Sequence, residues 1–318
     1  MGIEGEKVKV LEISGMSKSF RGKDVLHDIS FHVDKNQILG LIGKSGAGKT
    51  TILKILIGYY FPDYGYIYFN GKDYSKEMGN IRSKIGFVTQ DNCFYDELTI
   101  TENLEYFGKI YNVPTNLIKK NSAELLKFLQ LEESKDVVGK YLSGGMKRRL
   151  DFACAMIHNP EIIIMDEPTT GLDPILRKQI WNLIKQIKGL GKTIIFSSHL
   201  LTELDSLCDK VAIINDGTVA AFGDIKEVKD KFSSNYEVHL ETRPGNYVKI
   251  VEEMQDDNIT IRRYIVKDHK LVIFTSNPHD AVKMIIPILD KLGEEMIDLD
   301  VEKPSLNEVF EFYVEGEQ

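Results

Sequence analysis

The sequence predicts an α/β protein of two domains, in which a larger domain built on a parallel sheet precedes a smaller α+β domain. Short β-branched apolar runs indicate buried parallel strands. A glycine-rich segment separates the first of these runs from the helix that follows it. Near residue 225 the charge changes, because residues 225–318 carry 12 Lys and Arg against 20 Asp and Glu, a balance of −8 that equals the charge of the whole chain. A chain of 318 residues is also longer than one average domain.

The glycine-rich segment matches the pattern G-x-x-x-x-G-K-[ST] between a strand at 37–42 and a helix at 49–57. Backbone N–H groups of such a loop, and the N-terminus of the following helix, bind phosphate. Lys49 is predicted to reach the β- and γ-phosphates, and the Thr50 hydroxyl to bind Mg²⁺. A plain glycine-rich turn is the alternative, and the strand and helix around the loop argue against it. We therefore expect ATP and Mg²⁺ at Gly43, Lys44, Ser45, Gly46, Ala47, Gly48, Lys49, Thr50 and Thr51.

A second candidate element is the apolar strand 161–165, which ends in Asp166 and Glu167. The carboxyl ends of parallel strands are where open α/β sheets bind ligands. Asp166 is predicted to hold Mg²⁺ through water, and Glu167 to orient or deprotonate the water that attacks the γ-phosphate. The alternative is an acidic strand end that caps a loop, which the phosphate loop upstream disfavours.

Together these motifs resemble the ABC-type ATPases. The similarity covers roughly residues 8–220 and rests on six segments in the order and spacing of that family. It implies a P-loop ABC-type ATPase domain over 1–224 with a helical subdomain at about 91–158, and two such domains that clamp head to tail around two ATP molecules. The segments are Gly43–Thr50, Gln90, Leu142–Met146, Asp166-Glu167, Thr170–Asp173 and His199.

The resemblance assigns a role in trans to Ser143, Gly144 and Gly145, which would contact the γ-phosphate held by the partner domain. Ser143 also suits the N-cap of a helix that begins after it. Met146 stands where the family more commonly has Gln, and this departure concerns fine contacts to the nucleotide. Without the other motifs, the segment would be interpreted as a loop with a serine cap.

Four further residues take roles from the resemblance alone. His199 would contact the γ-phosphate and hold Glu167, and Gln90 would contact Mg²⁺ and the attacking water. Asp173 would belong to the loop that communicates between the two ATP sites. Phe20 would stack on adenine, although an aromatic residue in the core is the alternative.

The second domain is predicted over 225–318, after a hairpin at 211–219 and a charged segment at 226–231. The order βαββαβ that we predict for it is that of a ferredoxin-like fold, with a polar turn at 267–270. A last helix is expected from Pro304, capped by Ser305 and Glu308. This ending resembles ATPase subunits of systems that export drugs, antibiotics and polysaccharides. The predicted elements are strand 236–242, helix 246–255, strands 259–267 and 270–276, helix 279–292 and strand 296–301.

Composition constrains the partners. No apolar run approaches the roughly 20 residues that span a bilayer, and Met1–Lys7 lacks the apolar core of a signal peptide. Three widely spaced cysteines show no metal-ligand pattern. No basic stripe of the kind that binds nucleic acid is present. We expect a cytoplasmic protein, held at the inner face of the membrane by a permease.

Several alternatives stay open. Aromatic residues between Phe94 and Tyr111 either receive a short helix of the permease or pack inside the helical subdomain. The domains pair as a homodimer or as a pseudo-dimer with another ATPase chain. Besides an exporter, we consider an import-type transporter ATPase, a soluble ABC ATPase of translation or DNA repair, and a binding module without hydrolysis.

Overall fold

The computed structural model describes residues 8–232, 236–255, 261–267, 270–302 and 310. The chain separates into two compact units between Gly223 and Asp224. In the described parts of the chain, no helix combines the length and the apolar composition needed to cross a membrane.

The first unit contains two sheets and seven helices within its described residues. Its strands are β1 (Lys9–Phe20), β2 (Lys23–Asp34), β3 (Ile38–Ile42), β4 (Tyr64–Phe69), β5 (Lys72–Asp73), β6 (Ile85–Val88), β7 (Ile162–Asp166), β8 (Thr193–Ser198), β9 (Lys210–Asn215) and β10 (Thr218–Asp224). Its helices are α1 (Lys49–Leu56), α2 (Tyr74–Arg82), α3 (Ile100–Ile110), α4 (Thr115–Phe128), α5 (Gly144–Met156), α6 (Pro174–Gly189) and α7 (Leu201–Leu207).

The central sheet has the strand order β10-β9-β3-β8-β7-β6, and β9, β3, β8, β7 and β6 are parallel. Every residue of β3, β7 and β8 is buried, as expected for parallel strands that are covered on both faces. The predicted hairpin between β9 and β10 is confirmed: Asp216 and Gly217 both have positive φ, of 43° and 75°, which a tight two-residue turn requires.

The register of the central sheet places several loops at one edge. Ile42 pairs with Ser198, Asp166 with Ser197, and Val88 with Met165. Parallel strands in this register end together, so the chain leaves β3, β8, β7 and β6 on the same side. The sequence after each of these four strands therefore contributes to a common surface.

The smaller sheet of the first unit has the order β2-β1-β4-β5 and is antiparallel. Between β6 and β7 the chain forms α3, α4 and α5, and two short 3₁₀ turns lie at Glu132–Ser134 and Gly139–Tyr141. Thr99 and Glu102 form a capping box at the start of α3, which satisfies backbone N–H groups that the helix itself leaves unpaired.

The second unit begins with α8 (Ile225–Phe232) and continues as a ferredoxin-like fold. The sheet order β12-β13-β11-β14 and its antiparallel pairing confirm the predicted βαββαβ fold. Residues 268–269 of the predicted turn at 267–270, and residues 304–309 of the predicted last helix, lie outside the described residues. The elements are β11 (Tyr236–Arg243), α9 (Tyr247–Gln255), β12 (Ile261–Lys267), β13 (Lys270–Thr275), α10 (Pro278–Leu292) and β14 (Glu295–Glu302).

Candidate functional site

The glycine-rich loop connects β3 to α1, as the sequence predicts. Gly43 leaves β3 so close to the neighbouring strand that a Cβ at this position would lie 2.4 Å from the carbonyl oxygen of Ile214. Gly48 has φ of +106°, and a Cβ there would lie 2.6 Å from Leu26. These two positions require glycine for steric reasons, because the loop is tightly curled against its surroundings. The N–H groups at the start of α1 remain available to an anion.

Lys49 is 6% exposed and its ammonium is enclosed by the loop. Its Nζ donates to the carbonyl oxygens of Gly43 at 2.6 Å and Lys44 at 3.1 Å. Burial lowers the pKa of Lys49, and the carboxylates of Glu167 and Asp166 oppose that shift. The Lys49 side chain therefore lies near enough to the end of β7 for the carboxylates of Glu167 and Asp166 to act on it.

Asp166 joins β7 to the loop. Its Oδ1 accepts from the Thr50 hydroxyl at 3.2 Å and from the Ser197 hydroxyl at 2.6 Å. Asp166 is 6% exposed. The predicted pair of Thr50 and Asp166 is thus brought into direct contact, although the two residues are 116 positions apart in sequence.

Glu167 has an unusual backbone conformation, with φ of +46°. A non-glycine residue in this region is uncommon, and such strain clusters at functional sites. The Ser197 hydroxyl accepts from the backbone N–H of Glu167 at 2.9 Å. The side-chain Oε2 accepts from the Thr170 hydroxyl at 2.8 Å and lies 3.3 Å from Nδ1 of His199. The carboxylate is therefore fixed by contacts from two loops.

Gln90 follows β6 at the same edge of the sheet. Since Val88 pairs with Met165, Gln90 and Glu167 lie two residues beyond paired positions. Gln90 is exposed. It is thus free to contact a ligand bound in front of β7.

Three other groups of predicted residues lie on separate elements. Ser143 caps α5 and accepts from the N–H of Met146 at 3.4 Å, and Gly144 is exposed. Asp173 caps α6 through the N–H groups of Ile175 and Leu176. Phe20, at the end of β1, is partly exposed.

Phe20 packs against a neighbouring aromatic residue, since its ring centre lies 4.8 Å from that of Tyr60 in an edge-on arrangement. The Nζ of Lys18 lies 5.3 Å from the Phe20 ring centre. Partial exposure leaves part of the ring surface accessible, so Phe20 is not fully buried in the core.

The aromatic segment after Gln90 divides into buried and exposed rings. Phe94 is 7% exposed, whereas Tyr95 and Tyr106 are 49% and 41% exposed. The two tyrosines pack edge to face, with ring centres 4.7 Å apart, and their hydroxyls lie 3.1 Å apart. Tyr111 stacks on His158. Phe94 and Tyr111 therefore pack inside the first unit, as one of the two alternatives predicts, whereas Tyr95 and Tyr106 are accessible to a partner and docking of a permease helix stays a prediction.

Sequence reasoning gave no role to Ser197 and none to Thr170. Ser197 bridges Asp166 and the backbone of Glu167, and Thr170 holds the carboxylate of Glu167. The signal that could have indicated Ser197 is a polar pair, Ser197-Ser198, at the end of an otherwise apolar strand. Such a pair at the carboxyl end of a buried strand is suited to ligand binding.

The donor set at this edge fits a magnesium ion that is completed by substrate. Mg²⁺ is commonly bound by one or two carboxylates together with phosphate oxygens and water. Thr50 and Asp166 supply a hydroxyl and a carboxylate oxygen 3.2 Å apart. Within the described residues, no group of three or more His, Cys, Asp or Glu could hold a metal. The protein alone therefore offers only part of a coordination shell, and phosphates in the loop would provide the rest.

The chain is also similar to known proteins in sequence. A family model described as ABC transporter matches residues 26–170. The linearmycin resistance ATP-binding protein LnrL of Bacillus subtilis is 32% identical over 305 residues, which are 95% of this chain and 97% of that protein. The Nod factor export ATP-binding protein I of Ralstonia nicotianae is 37% identical over 214 residues, 67% of each chain.

Solved structures give the same result for the fold. An ATP-binding subunit of an ABC transporter has a TM-score of 0.63 at 30% identity, covering 70% of this chain and 93% of that one. The protein cbiO1 of Clostridium perfringens, part of the ABC transporter complex cbiONQ, has a TM-score of 0.64 at 27% identity, covering 72% and 95%.

Proposed function

This chain belongs to the family of ABC transporter ATP-binding proteins, and from that premise we propose that it drives export through a separate permease by binding and hydrolysing Mg²⁺-ATP. The observation that carries the proposal is the carboxylate of Glu167, which Thr170 and His199 contact beside the phosphate loop. A carboxylate in this place can accept a proton from a water molecule that attacks the γ-phosphate.

Each residue of the site would have a defined task. Lys49 and the N–H groups of the loop would bind the β- and γ-phosphates. Glu167 would orient and deprotonate the attacking water, while His199 would keep its carboxylate in position and contact the γ-phosphate. Gln90 would contact the same water. Phe20 would stack on adenine, since base–aromatic stacking contributes about 1–3 kcal/mol.

Thr50 and Asp166 would hold Mg²⁺, and Gln90 would also contact the ion. The ion would neutralise negative charge on the phosphates as the bond to the γ-phosphate breaks. Ser197 supports this arrangement, because its hydroxyl donates to Asp166 at 2.6 Å and so leaves the second carboxylate oxygen to other ligands.

The complete ATP site would form between two ATPase domains. Ser143, Gly144 and Gly145 would contact the γ-phosphate that the other domain holds. Support comes from their position at the N-terminus of α5, where the N–H groups of a helix attract anions. Asp173, at the N-terminus of α6, would connect the two sites.

Export is favoured by the relatives. One is named for resistance to linearmycin and another for export of Nod factor. The permease would dock on the exposed rings of Tyr95 and Tyr106, which follow Gln90 in sequence. Such docking would place the protein at the cytoplasmic face of the membrane, and aromatic walls of this kind receive amphipathic helices.

The experiment that tests the proposal measures ATP hydrolysis with and without Mg²⁺, in parallel with size-exclusion chromatography. We expect Mg²⁺-dependent hydrolysis by the wild type and an ATP-dependent dimer of Glu167→Gln. Lys49→Ala should bind ATP more weakly than the wild type. If neither hydrolysis nor a dimer is found, with or without the permease, the proposal is wrong.

A further inference from the structure

A buried arginine connects three of the functional segments. Arg148 lies on α5, five residues after Ser143, and is 6% exposed. Its Nε donates to the carbonyl oxygen of Pro168 at 2.8 Å, and its Nη1 donates to the carbonyl oxygen of Thr89 at 2.8 Å. Pro168 directly follows Glu167, and Thr89 directly precedes Gln90. One guanidinium therefore touches the backbone beside both candidate water-binding residues.

The contact is extended by a carboxylate on the same helix. Asp151 is fully buried, and its Oδ2 lies 3.4 Å from Nη1 of Arg148. Its Oδ1 accepts from the backbone N–H of Cys93 at 2.8 Å and from the Cys93 thiol at 3.2 Å. The segment around Gln90 is thus attached to α5 at two points, Thr89 and Cys93.

The ion pair of Arg148 and Asp151 is chemically suited to holding the backbone segments around it in place. Burial raises the pKa of Asp151, and the Cys93 N–H and the charge of Arg148 oppose that rise. Burying two charges costs free energy that a structure recovers only through close partners. Arginine presents its donors in a rigid planar fork, so a shift of α5 would move both carbonyl contacts together.

We propose that Arg148 is a positioning residue that fixes Glu167 and Gln90 relative to the Ser143–Gly145 segment of the same chain, so that the two ATP sites of a dimer respond to each other. The inference rests on the function proposed above, in which Glu167 and Gln90 act on the chain's own ATP while Ser143–Gly145 acts on the partner's. Arg148 joins these two sets of residues through a single side chain.

The adjacent residue provides a matched control. Arg149 donates to the carbonyl oxygen of Leu129 at 3.4 Å and to the side chains of Gln130 and Gln179 at 3.0 and 3.3 Å. None of these partners belongs to a nucleotide motif. Arg148→Lys and Arg149→Lys are therefore the same substitution on one helix, with and without contacts to the segments that carry Glu167 and Gln90.

The test compares these two variants by three measurements. For Arg148→Lys we expect a fall in kcat of about 10- to 100-fold, as for other small displacements of catalytic groups. The Kd for ATP, measured by equilibrium dialysis without Mg²⁺, should change less than about threefold, since the contacts described for Arg148 are to Pro168, Thr89 and Asp151 and not to the phosphate loop. In the Glu167→Gln background, dimer formation on ATP should require at least about tenfold more protein, because the in-trans segment is no longer held in place. Arg149→Lys should match the wild type in all three.

Two outcomes would overturn the inference. Arg148→Lys could behave like Arg149→Lys, or it could lose ATP affinity and thermal stability in step with kcat, as expected of a residue that only supports the fold. If Arg148→Lys does not fold, Asp151→Asn replaces it, because asparagine retains an acceptor for Cys93 while removing the charge beside Arg148. That variant should likewise have a lower kcat and a nearly unchanged Kd for ATP. An unchanged kcat would contradict the inference. A wild type without hydrolysis or dimer would refute the proposed function as well, before any variant is compared.

Discussion

In the first unit, buried polar side chains from neighbouring strands meet at one edge of a parallel sheet, whereas in the second unit Glu294 and Thr275 bind backbone N–H groups of the connections between elements. Asp166 and Ser197 contact each other and the loop residue Thr50. In the second unit, Glu294 accepts from the N–H groups of Gly245 and Asn246, each at 2.8 Å, and Thr275 accepts from the N–H of Asn277.

The difference follows from strand direction. Parallel strands in register end on the same side, so the loops that follow them are gathered there. Antiparallel strands end alternately on opposite sides, so the connections that follow them are divided between two edges of the sheet. Buried polarity alone therefore does not identify a site, whereas its convergence at the carboxyl ends of parallel strands does. The following predictions test that contrast, from the largest expected effect to the smallest.

Removing the candidate base should affect chemistry and leave folding intact. We expect Glu167→Gln to lower kcat by about 10²- to 10⁴-fold, the usual range for a lost general base. Glu161→Gln is the matched control, because Glu161 precedes the same strand and contacts Lys84 and Asn70 on the surface. Steady-state ATP hydrolysis measures both. Equal turnover in the two variants would mean that the carboxyl end of β7 is no more important for hydrolysis than its amino end, which would contradict the contrast.

The half-buried His158 should make the first unit sensitive to acid. His158 donates from Nε2 to the carbonyl oxygen of Ile85, and burial lowers its pKa from 6.5 to about 4. Above pH 6.5 it is neutral in both states, but as the pH falls towards 4 only the unfolded chain takes up the proton. Stability is therefore lost over this range, by about 3 kcal/mol at roughly 1.4 kcal/mol per pKa unit.

The measurement for His158 is urea denaturation at several pH values. Between pH 6.5 and 4, the free energy of unfolding should fall less steeply in His158→Phe than in the wild type. His279→Phe, at an exposed position in the second unit, should retain the wild-type pH dependence. A parallel decline in all three proteins would show that other groups determine the acid sensitivity.

Adenine stacking should depend on the Phe20 ring. We expect Phe20→Ala to weaken ATP binding by about 1–3 kcal/mol, the range for base–aromatic stacking, while Phe20→Tyr retains most of the affinity. Equilibrium dialysis with ATP measures both. If the ring serves only to pack against Tyr60, ATP affinity will be unchanged in Phe20→Ala and only thermal stability will fall.

Removing the carboxylate of Glu294, which joins two connections of the second unit, should destabilise that unit without altering ATP affinity. Glu294→Ala leaves the N–H groups of Gly245 and Asn246 without their acceptor, which costs about 1–3 kcal/mol. Urea denaturation should detect this loss, and the Kd for ATP should match that of the wild type. A change in Kd would mean that the polar groups of the two units are not independent.

The smallest effect is expected at Met146. Met146 follows Ser143–Gly145, which we propose to contact phosphate, and its N–H donates to the Ser143 hydroxyl at the helix cap. Met146→Gln should change stability by less than about 0.5 kcal/mol, as most partly exposed substitutions do, and turnover by a similarly small factor. Steady-state kinetics with ATP would detect a larger effect, which would give the Met146 side chain a part in the site.

Local patterns predict much of this molecule because they depend on short-range physics. The isoleucine-rich runs of β7 and β8 have no other stable place than a buried sheet, and the glycines of the loop follow from close approach of the backbone. The sequence also predicted the βαββαβ order of the second unit.

Contacts between distant segments were predicted only where the motifs or the family resemblance supplied them, as for Thr50 with Asp166 and His199 with Glu167. The other contacts of this kind could not be predicted. The bond from Ser197 to Asp166 depends on which strands are neighbours. Which tyrosine after Gln90 is exposed depends on how α3 packs, and the partners of Arg148 are set by three segments at once. Which segments become neighbours is decided by the tertiary fold, and the spacing of residues along the chain does not reveal it.

The backbone of Glu167 has a consequence for engineering. Six of the nine described non-glycine residues with positive φ are Asn or Asp, the residue types that tolerate this conformation best. A glutamate held there carries a conformational cost of roughly 1–3 kcal/mol. Selection for thermal stability alone would consequently favour Glu167→Asn. If Glu167 is the general base, as we propose, a library screened only for heat resistance would then enrich variants that fold better and hydrolyse ATP more slowly.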